Sequence, residues 1–287
     1  MYKSIFFLGL STIIFSNAVH AYTLEKDLSY GKGARNQLDL YLPDNLENPP
    51  LVIFVHGGQW KRNDKSQVEL YQRVEKLTDA GFAIASINWT YSTTSVWPTQ
   101  RDDVKTAMQF LQSNASKLGY SYDSVAIWGQ SSGAHMAIWG GLLSADYGKP
   151  VDAIVSWYAP TDLYHIASDR AQQAGSKVSI SDGEKAPESQ LIGKNVLENK
   201  TEADEASPLY YVKNLPVGQK LPTFLLVHGT ADHTVPMAQT TRLYEAIKHQ
   251  KGSNFVDLVY IEGGEHGGEK FNDNVDYVVD FLKSQLQ

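Results

Sequence analysis

A serine set between two glycines is the strongest candidate for chemistry in this chain. The motif Gly-Gln-Ser-Ser-Gly occupies residues 129–133, directly after the apolar run 124–128 and directly before a helix-compatible stretch. A strand, a sharp turn and a helix in this order lift a serine hydroxyl above a sheet and place it at a helix N-terminus. The motif alone arises often by chance, so Ser131 is a candidate nucleophile only if the chain also supplies its partners.

A base and an acid for this serine follow later strands of the chain. A serine hydroxyl is a poor nucleophile at neutral pH, so it needs a base to take its proton and a carboxylate to orient that base. Asp232 lies in a turn just after the apolar run 223–227, and His266 lies between glycines after the run 256–261. The order serine, aspartate, histidine is the one found in α/β-hydrolases. We therefore predict a catalytic triad of Ser131, Asp232 and His266.

A glycine-rich turn upstream supplies candidate donors for an acyl oxygen. The residues His-Gly-Gly-Gln-Trp at 56–60 follow the apolar run 51–55, where backbone N–H groups can be aimed at a site above the sheet. We predict that backbone N–H groups of this turn, together with that of Ser132, form an oxyanion hole. Losing one donor of such a hole typically lowers turnover about 10²–10³-fold.

Four other histidines could take part, and each has a simpler interpretation. His56 is expected to hold the oxyanion loop by a hydrogen bond, and His135 to pack beside the helix that follows the serine. His228 and His233 flank Asp232 and could bind a metal ion with it. Chain order makes the histidine of the last glycine-rich loop the base, so we predict neither a metal site nor a cofactor.

Asp162 is the alternative to Asp232 as the orienting acid. It ends the sequence Ala-Pro-Thr-Asp after an apolar run, where a carboxylate commonly caps a turn, and capping is its expected role. Several aromatic residues also follow strands, at positions where an acyl or aryl group could stack. They are Trp60, Trp89, Tyr91 and Trp97, and ordinary packing is the simpler interpretation for each of them.

Alternating strand-like and helix-like segments must position these residues. The predicted strands cover residues 37–42, 51–55, 82–87, 124–128, 153–157, 223–227 and 256–261. The predicted helices cover residues 65–80, 101–118, 134–144 and 237–250. Several strands are continuous apolar runs, which is typical of parallel strands covered by helices on both faces. The pattern predicts an α/β fold with a mostly parallel, doubly wound central sheet and helices on both faces.

One region interrupts the alternation. Residues 169–188 are polar and rich in Ser, Gly, Lys and Asp, and the chain up to residue 207 adds only short helical pieces. We predict an insert over about residues 165–207. A solvated loop is its simpler interpretation. A lid over the site is the functional one, because ligands bind beyond the carboxyl ends of parallel strands, where such inserts lie.

The first 21 residues have the pattern of an export signal. Lys3 is followed by the apolar run 5–15 and by Val-His-Ala, a small-residue cleavage site. The run is too short for a membrane anchor, which needs about 20 residues. Cleavage after Ala21, with Ala18 as the alternative position, leaves a single domain of residues 22–287. We expect an exported protein, periplasmic or extracellular, with no stable membrane span after cleavage.

Charge and composition argue against several classes of protein. The formal charge of −7 becomes −8 on removal of residues 1–21, which contain one lysine and no acid, and this acidity argues against a nucleic acid partner. The chain contains no cysteine, which excludes disulfides, thiolate catalysis and Cys-type metal sites.

Taken together, the motifs resemble exported esterases of the α/β-hydrolase superfamily, in particular the BD-FAE-like group that includes bacterial feruloyl and acetyl-xylan esterases. The resemblance is carried by residues 56–60, 129–133, 207–208, 228–236 and 266. It implies that Ser131 is the nucleophile, Asp232 the orienting acid and His266 the base, with backbone donors at Gly58, Gln59 and Ser132.

Two departures from the family pattern concern the substrate. Gln59 stands where many relatives have a third glycine, and formamidases often have a bulkier residue there. Residues 88–91 read Asn-Trp-Thr-Tyr where relatives tend to show a Tyr-Arg pair. The first change preserves the backbone donor, and both changes affect the shape of the pocket.

The residues and the resemblance predict a serine carboxylesterase that forms an acyl-enzyme. Its expected substrates are acetyl, feruloyl or other small acyl esters, as small molecules or linked to a carbohydrate. A formamidase or a peptidase-type amide hydrolase would use the same triad and is an alternative. A binding protein on an inactive hydrolase scaffold is the alternative from another class, and the intact triad argues against it. The sequence leaves the oligomeric state open.

Overall fold

An eight-stranded sheet forms the centre of the computed structural model, which describes residues 22–44, 46–173, 183–216 and 218–287. The strands in these residues are β1 (Tyr22–Ser29), β2 (Gln37–Pro43), β3 (Pro50–Val55), β4 (Ala83–Ile87), β5 (Ser121–Gln130), β6 (Ala153–Trp157), β7 (Thr223–Gly229) and β8 (Val256–Ile261). Their order across the sheet is β1-β2-β4-β3-β5-β6-β7-β8. β2 pairs with β1 and with β4 in antiparallel fashion, and the remaining neighbours are parallel. The predicted fold class is confirmed.

Helices cover both faces of this sheet. They are α1 (Arg73–Asp79), α2 (Thr99–Leu118), α3 (Ser132–Leu142), α4 (Ser144–Tyr147), α5 (Ile166–Gln172), α6 (Pro187–Ile192), α7 (Lys200–Glu205), α8 (Pro208–Lys213), α9 (Ala238–Lys251) and α10 (Asn274–Leu286). Ile53 of β3 belongs to an apolar cluster with α2, α3 and α9, whereas its neighbours Val52 and Phe54 belong to a second cluster with α1 and α10. Because both faces of β3 are buried, each residue of its apolar run packs into one of the two apolar clusters.

Several elements of the described structure, among them β1 and α10, lack a counterpart in the sequence prediction. β1 is an edge strand with one neighbour, and its half-exposed residues include three consecutive charged side chains at positions 25–27. Its weak alternation explains the omission. α10 carries a clear helical period, with Val275, Val278 and Leu282 buried on one side, and the prediction missed this signal.

The single helix predicted over residues 65–80 is interrupted. A 3₁₀ segment, Lys65–Gln72, precedes α1, and the backbone leaves the helical region at Leu70 (ψ 147°) and Tyr71 (φ 63°). The apolar spacing that suggested one helix therefore belongs to two short pieces. At the junction, the side chains of Gln67, Tyr71 and Arg73 contact residues at the carboxyl edge of the sheet.

Two predictions cannot be compared in full with the described residues. The predicted signal peptide, residues 1–21, and residues 174–182 of the predicted insert lie outside them, so both predictions stay predictions. In the described part of the insert the chain forms the short helices α5 to α7. No helix of the residues that the structure describes is long and apolar enough to cross a bilayer.

Candidate active site

The predicted nucleophile lies in a sharp turn between β5 and α3. Ser131 has φ 55° and ψ −129°, a backbone conformation that residues other than glycine rarely adopt. A Cβ atom on Gly133 would lie 2.1 Å from the Val55 carbonyl oxygen, and one on Gly129 would lie 2.2 Å from the Gly133 carbonyl oxygen. Glycine at both positions therefore lets α3 pack tightly against β3 and β5, and the turn holds the serine hydroxyl above the sheet.

The structure brings the three predicted triad residues into hydrogen-bond contact. His266 Nε2 lies 2.8 Å from Ser131 Oγ, and His266 Nδ1 lies 2.7 Å from Asp232 Oδ2. With the Nδ1 proton donated to the carboxylate, Nε2 is free to accept the serine proton. The side chain of His266 is 22% exposed, so the chain of hydrogen bonds opens towards solvent at one end.

Asp232 is held as a buried carboxylate. Its Oδ1 accepts hydrogen bonds from the backbone N–H groups of Thr234 (2.8 Å) and Val235 (2.9 Å), which leaves Oδ2 for His266. Burial raises the pKa of Asp232, but the adjacent imidazoles of His266 and His228 outweigh it and hold the pKa well below its usual range. Asp232 is therefore ionised at neutral pH.

The three predicted oxyanion donors lie on two loops beside the nucleophile. Gly58 (φ 129°) and Gln59 (φ 56°) follow β3, and Ser132 begins α3. Within the described residues, none of their backbone N–H groups donates a hydrogen bond, whereas the N–H of Gly57 donates to Gln67 Oε1 at 2.6 Å. Free N–H groups at a helix N-terminus favour a negatively charged oxygen.

Two of the other histidines are buried and support the loops. His56 donates from Nδ1 to the Gly57 carbonyl oxygen at 2.8 Å and stacks on Trp89. His135 donates from Nε2 to the Ala206 carbonyl oxygen at 2.7 Å and accepts at Nδ1 from the indole of Trp60. Burial lowers the pKa of each imidazole to about 4, so both are neutral at pH 7.

We expect the free energy of unfolding to fall as the pH is lowered from about 6.5 towards 4. In this range the unfolded chain binds a proton at His56 and at His135, whereas the folded chain does not, so acid favours unfolding by about 1.4 kcal/mol per pH unit for each histidine. Urea unfolding at several pH values measures the slope. The variant His135→Gln should show a shallower slope, and the exposed His249→Gln control should keep the wild-type one. A wild-type free energy that is flat over this range would contradict the prediction.

The remaining candidates have structural partners of their own. The carboxylate of Asp162 lies 2.9 Å from His165 Nδ1 and 3.3 Å from Arg242, and it is not in contact with the triad histidine. His228 is fully buried between Thr240 and the Val235 carbonyl oxygen. Its neighbour at position 233 is exposed. In the part of the chain that the structure describes, no cluster of three or more His, Asp or Glu side chains could hold a metal ion.

Two cavities border Ser131. The larger, of about 300 Å³, is a cleft that also reaches His266, and most of its other lining residues are polar: Gly57, Gly58, Gln59, Arg62, Asn63, Gln67, Gln130, Tyr158 and Thr234. The smaller, of about 10 Å³, is closed by Trp60, Pro160, Pro187 and Val235 together with the buried ion pair Arg170–Glu188. This volume holds about one water molecule.

Of the four aromatic residues noted in the sequence, only one lines a cavity at Ser131. Trp60 borders the small pocket. Trp97 borders a separate cavity of about 530 Å³, next to Trp139. Trp89 and Tyr91 pack against each other. The packing interpretation therefore fits two of the four.

The structure adds residues that motif reasoning missed. The ring of Tyr158 packs against His266, with centroids 4.5 Å apart, and the Tyr71 hydroxyl accepts from the Gly268 N–H at 3.0 Å. Arg73 donates to Gln130, the residue before the nucleophile. Tyr158, Tyr71 and Arg73 lie in no catalytic motif. The one signal in the sequence is Gln130, whose position next to Ser131 could have suggested that another side chain binds there.

A mostly parallel sheet of this order with a serine on a strained strand-to-helix turn and a hydrogen-bonded histidine and aspartate defines an α/β-hydrolase. The BD-FAE family model matches residues 38–247, well over half of the chain. The chain therefore belongs to the BD-FAE family, and the resemblance expected from the motifs is confirmed. His266 lies beyond the matched residues.

Relatives and solved structures agree with this membership. Esterase LipQ of Mycobacterium tuberculosis is 27% identical over 255 residues, which are 84% of this chain and 56% of the relative. Isoprenylcysteine alpha-carbonyl methylesterase ICME of Arabidopsis thaliana is 24% identical, over 85% of this chain and 56% of the relative. A truncated carbohydrate esterase from gut microbiota superposes with a TM-score of 0.80 at 26% identity and covers 93% of this chain and 98% of that one. The chain thus spans a little over half the length of these two curated relatives.

Proposed function

We propose that this protein hydrolyses carboxylic esters by forming an acyl-enzyme at Ser131. The observation that carries the proposal is the continuous chain of short hydrogen bonds from Ser131 Oγ through His266 to the buried Asp232. The proton of the serine hydroxyl can pass to His266 Nε2 in a single step, and the positive charge that forms on the imidazole faces an ionised carboxylate. The esterases among the relatives support the same reaction.

In the first half of the reaction, His266 Nε2 takes the proton of Ser131 while Oγ forms a bond to the ester carbonyl carbon. The carbonyl electron pair moves to oxygen, and the free N–H groups of Gly58, Gln59 and Ser132 receive the resulting oxyanion. When the pair returns, the bond to the alcohol oxygen breaks, and the imidazolium gives its proton to the leaving alcohol.

In the second half, water takes the place of the alcohol. His266 removes a proton from the water as its oxygen attacks the acyl carbon, and the same donors hold the second oxyanion. Collapse of this intermediate breaks the bond to Ser131 Oγ, which regains its proton from the imidazolium. The carboxylic acid leaves, and the enzyme returns to its starting state.

The two cavities at Ser131 favour a small acyl group and a polar alcohol. The pocket of about 10 Å³ accepts a methyl group but not a longer chain without movement of Pro160 or Pro187. The cleft of about 300 Å³ offers amide and guanidinium groups, including Gln67, Gln130 and Arg62, that suit a hydroxyl-rich leaving group. We therefore place an acetyl ester of a polyhydroxylated alcohol ahead of a feruloyl ester. The similarity to a carbohydrate esterase supports this choice.

One panel of substrates tests the proposal. We expect a fluorophosphonate probe to label Ser131, and kcat/KM to be highest for acetyl esters, with 4-nitrophenyl hexanoate at least about 10-fold slower than the acetate. Acetylated xylo-oligosaccharides, methyl ferulate and N-formylkynurenine complete the panel under the same conditions. Faster cleavage of the formamide would identify an amide hydrolase, and absence of both labelling and hydrolysis would favour a binding protein. A preference for hexanoate would contradict the assignment of the small pocket to the acyl group.

A further inference from the structure

A buried arginine lies directly beneath the candidate active site. Arg73 is the first residue of α1, just after the break at Tyr71, and it has no exposed surface. Its guanidinium lies within 4.7 to 5.2 Å of four aromatic ring centroids, those of Phe54, Tyr71, Trp128 and Trp157. Ring faces attract a cation and offset part of the cost of burying one.

The positive charge of Arg73 has no carboxylate partner among the described residues, and its Nε atom has no hydrogen-bond acceptor there. Burial lowers the pKa of the guanidinium to about 10, so the group remains charged at neutral pH. The other buried arginine in the described chain, Arg170, is paired with Glu188 at 2.7 Å. A buried charge without a partner is costly, and an apolar side chain of similar volume would usually serve stability better.

The hydrogen bonds of Arg73 lead to two of the catalytic loops. Nη2 donates to Gln130 Oε1, and Gln130 immediately precedes the candidate nucleophile. Nη1 donates to the Gln67 carbonyl oxygen at 2.9 Å, and the side chain of Gln67 accepts from the Gly57 N–H of the oxyanion loop at 2.6 Å. One planar guanidinium therefore ties the serine turn to the oxyanion loop.

The break between Lys65–Gln72 and α1 makes this arrangement geometrically possible. Tyr71 and Gln72 both have positive φ angles, 63° and 54°, which cost free energy in residues other than glycine. An uninterrupted helix would place the side chains at 67 and 71 on one face and the side chain at 73 on another. With the break, Gln67 and Arg73 contact two of the catalytic loops, and Tyr71 contacts the histidine loop at Gly268.

We propose that Arg73 is a positioning residue for catalysis, which fixes the distance between the Ser131 hydroxyl and the oxyanion donors through Gln130 and Gln67. The inference rests on the proposed ester hydrolysis. Arg73 does not touch the substrate, so its loss should lower kcat and leave KM nearly unchanged. Because its charge has no carboxylate partner in the described part of the chain, its loss should not lower thermal stability in the way that loss of a packing residue would.

The test compares Arg73→Met and Arg73→Lys with wild type and with Arg101→Met, a surface control of the same chemical change. With 4-nitrophenyl acetate we expect Arg73→Met to have a kcat about 10- to 100-fold lower and a KM within about twofold of wild type. Its Tm should either match that of wild type within about 2 °C or be higher than that of wild type. Arg73→Lys keeps the charge but not the planar fork, so it should recover only part of kcat. Arg101→Met should match wild type.

The outcomes separate this inference from the proposed function. An inactive wild-type protein would contradict ester hydrolysis itself. An active wild type with an equally active Arg73→Met, or an Arg73→Met variant whose KM rises as much as its kcat falls, would overturn only the role of Arg73. A large loss of Tm shared by Arg73→Met and Arg73→Lys, with kcat per folded molecule unchanged, would also overturn it. If Arg73→Met does not fold, Arg73→Lys decides: a lower kcat at unchanged KM supports the proposal, and wild-type kcat overturns it.

Discussion

Replacing Ser131 by alanine is expected to lower kcat for 4-nitrophenyl acetate by at least about 10⁴-fold. The change removes the oxygen atom that forms the proposed acyl-enzyme, while the backbone N–H groups of Gly58, Gln59 and Ser132, which have no acceptor within the described residues, remain to bind a carbonyl oxygen. Binding and oxyanion stabilisation alone account for the small rate that should remain. Steady-state hydrolysis and the rate of fluorophosphonate labelling measure the loss.

The fold of this variant should be preserved. Among the described residues, the Ser131 side chain donates only to His266, which is partly exposed and can bond to water instead. Alanine and serine pay a similar cost for the positive φ at this position. Circular dichroism and Tm should therefore match wild type. Ser113→Ala, on an exposed position of α2, is the matched control and should keep full activity. Wild-type turnover by folded Ser131→Ala would show that the nucleophile lies elsewhere.

Replacing Asp232 by asparagine is expected to lower kcat by about 10³- to 10⁴-fold. Oδ1 of Asp232 is committed to the N–H groups of Thr234 and Val235, so the amide nitrogen of asparagine would take the Oδ2 position and donate towards His266. The imidazole must then accept at Nδ1 and carry its proton on Nε2, where it can no longer accept from Ser131. The variant also lacks the negative charge that stabilises the imidazolium.

Asp162→Asn is the control that decides between the two acids. Its carboxylate contacts His165 and Arg242 rather than the triad histidine, so this variant should retain kcat within a few-fold. The pH dependence of kcat/KM provides a second measurement, because Asp232→Asn should regain activity at high pH, where hydroxide replaces the missing base. A larger loss in Asp162→Asn than in Asp232→Asn would make Asp162 the orienting acid and refute the assignment.

Much of the fold and of the candidate site can be predicted from short stretches of the sequence. The strand-turn-helix at Ser131 is visible because short-range sterics dictate it: only glycine allows the close approach of residue 133 to the Val55 carbonyl oxygen. The parallel strands are visible because burial on both faces requires continuous apolar runs. Strands of this kind end at one edge of the sheet, so residues that follow β5, β7 and β8 meet there.

Other features have no local signature. The pattern of residues 65–80 is compatible with one helix, and the break at Tyr71 is favourable only because the distant loops around Gly57 and Gly268 receive its side chains. Arg73 looks like a surface residue of an amphipathic helix in the sequence, yet it lies fully buried among four aromatic rings. Such placements depend on contacts between residues far apart in the chain.

The sequence by itself determined the order and the chemical types of the candidate triad, the glycines that its turn requires, and the α/β class of the fold. Steric limits and hydrophobic period act over a few residues, and they can be recognised without coordinates. Only the tertiary structure decided that Asp232 rather than Asp162 contacts His266, that one of the two cavities beside Ser131 is small, and that Arg73 lies beneath the site with no carboxylate partner among the described residues. Distances, burial and unpaired charges are properties of the packed chain, in which each side chain's environment is made by segments that the sequence separates by tens of residues.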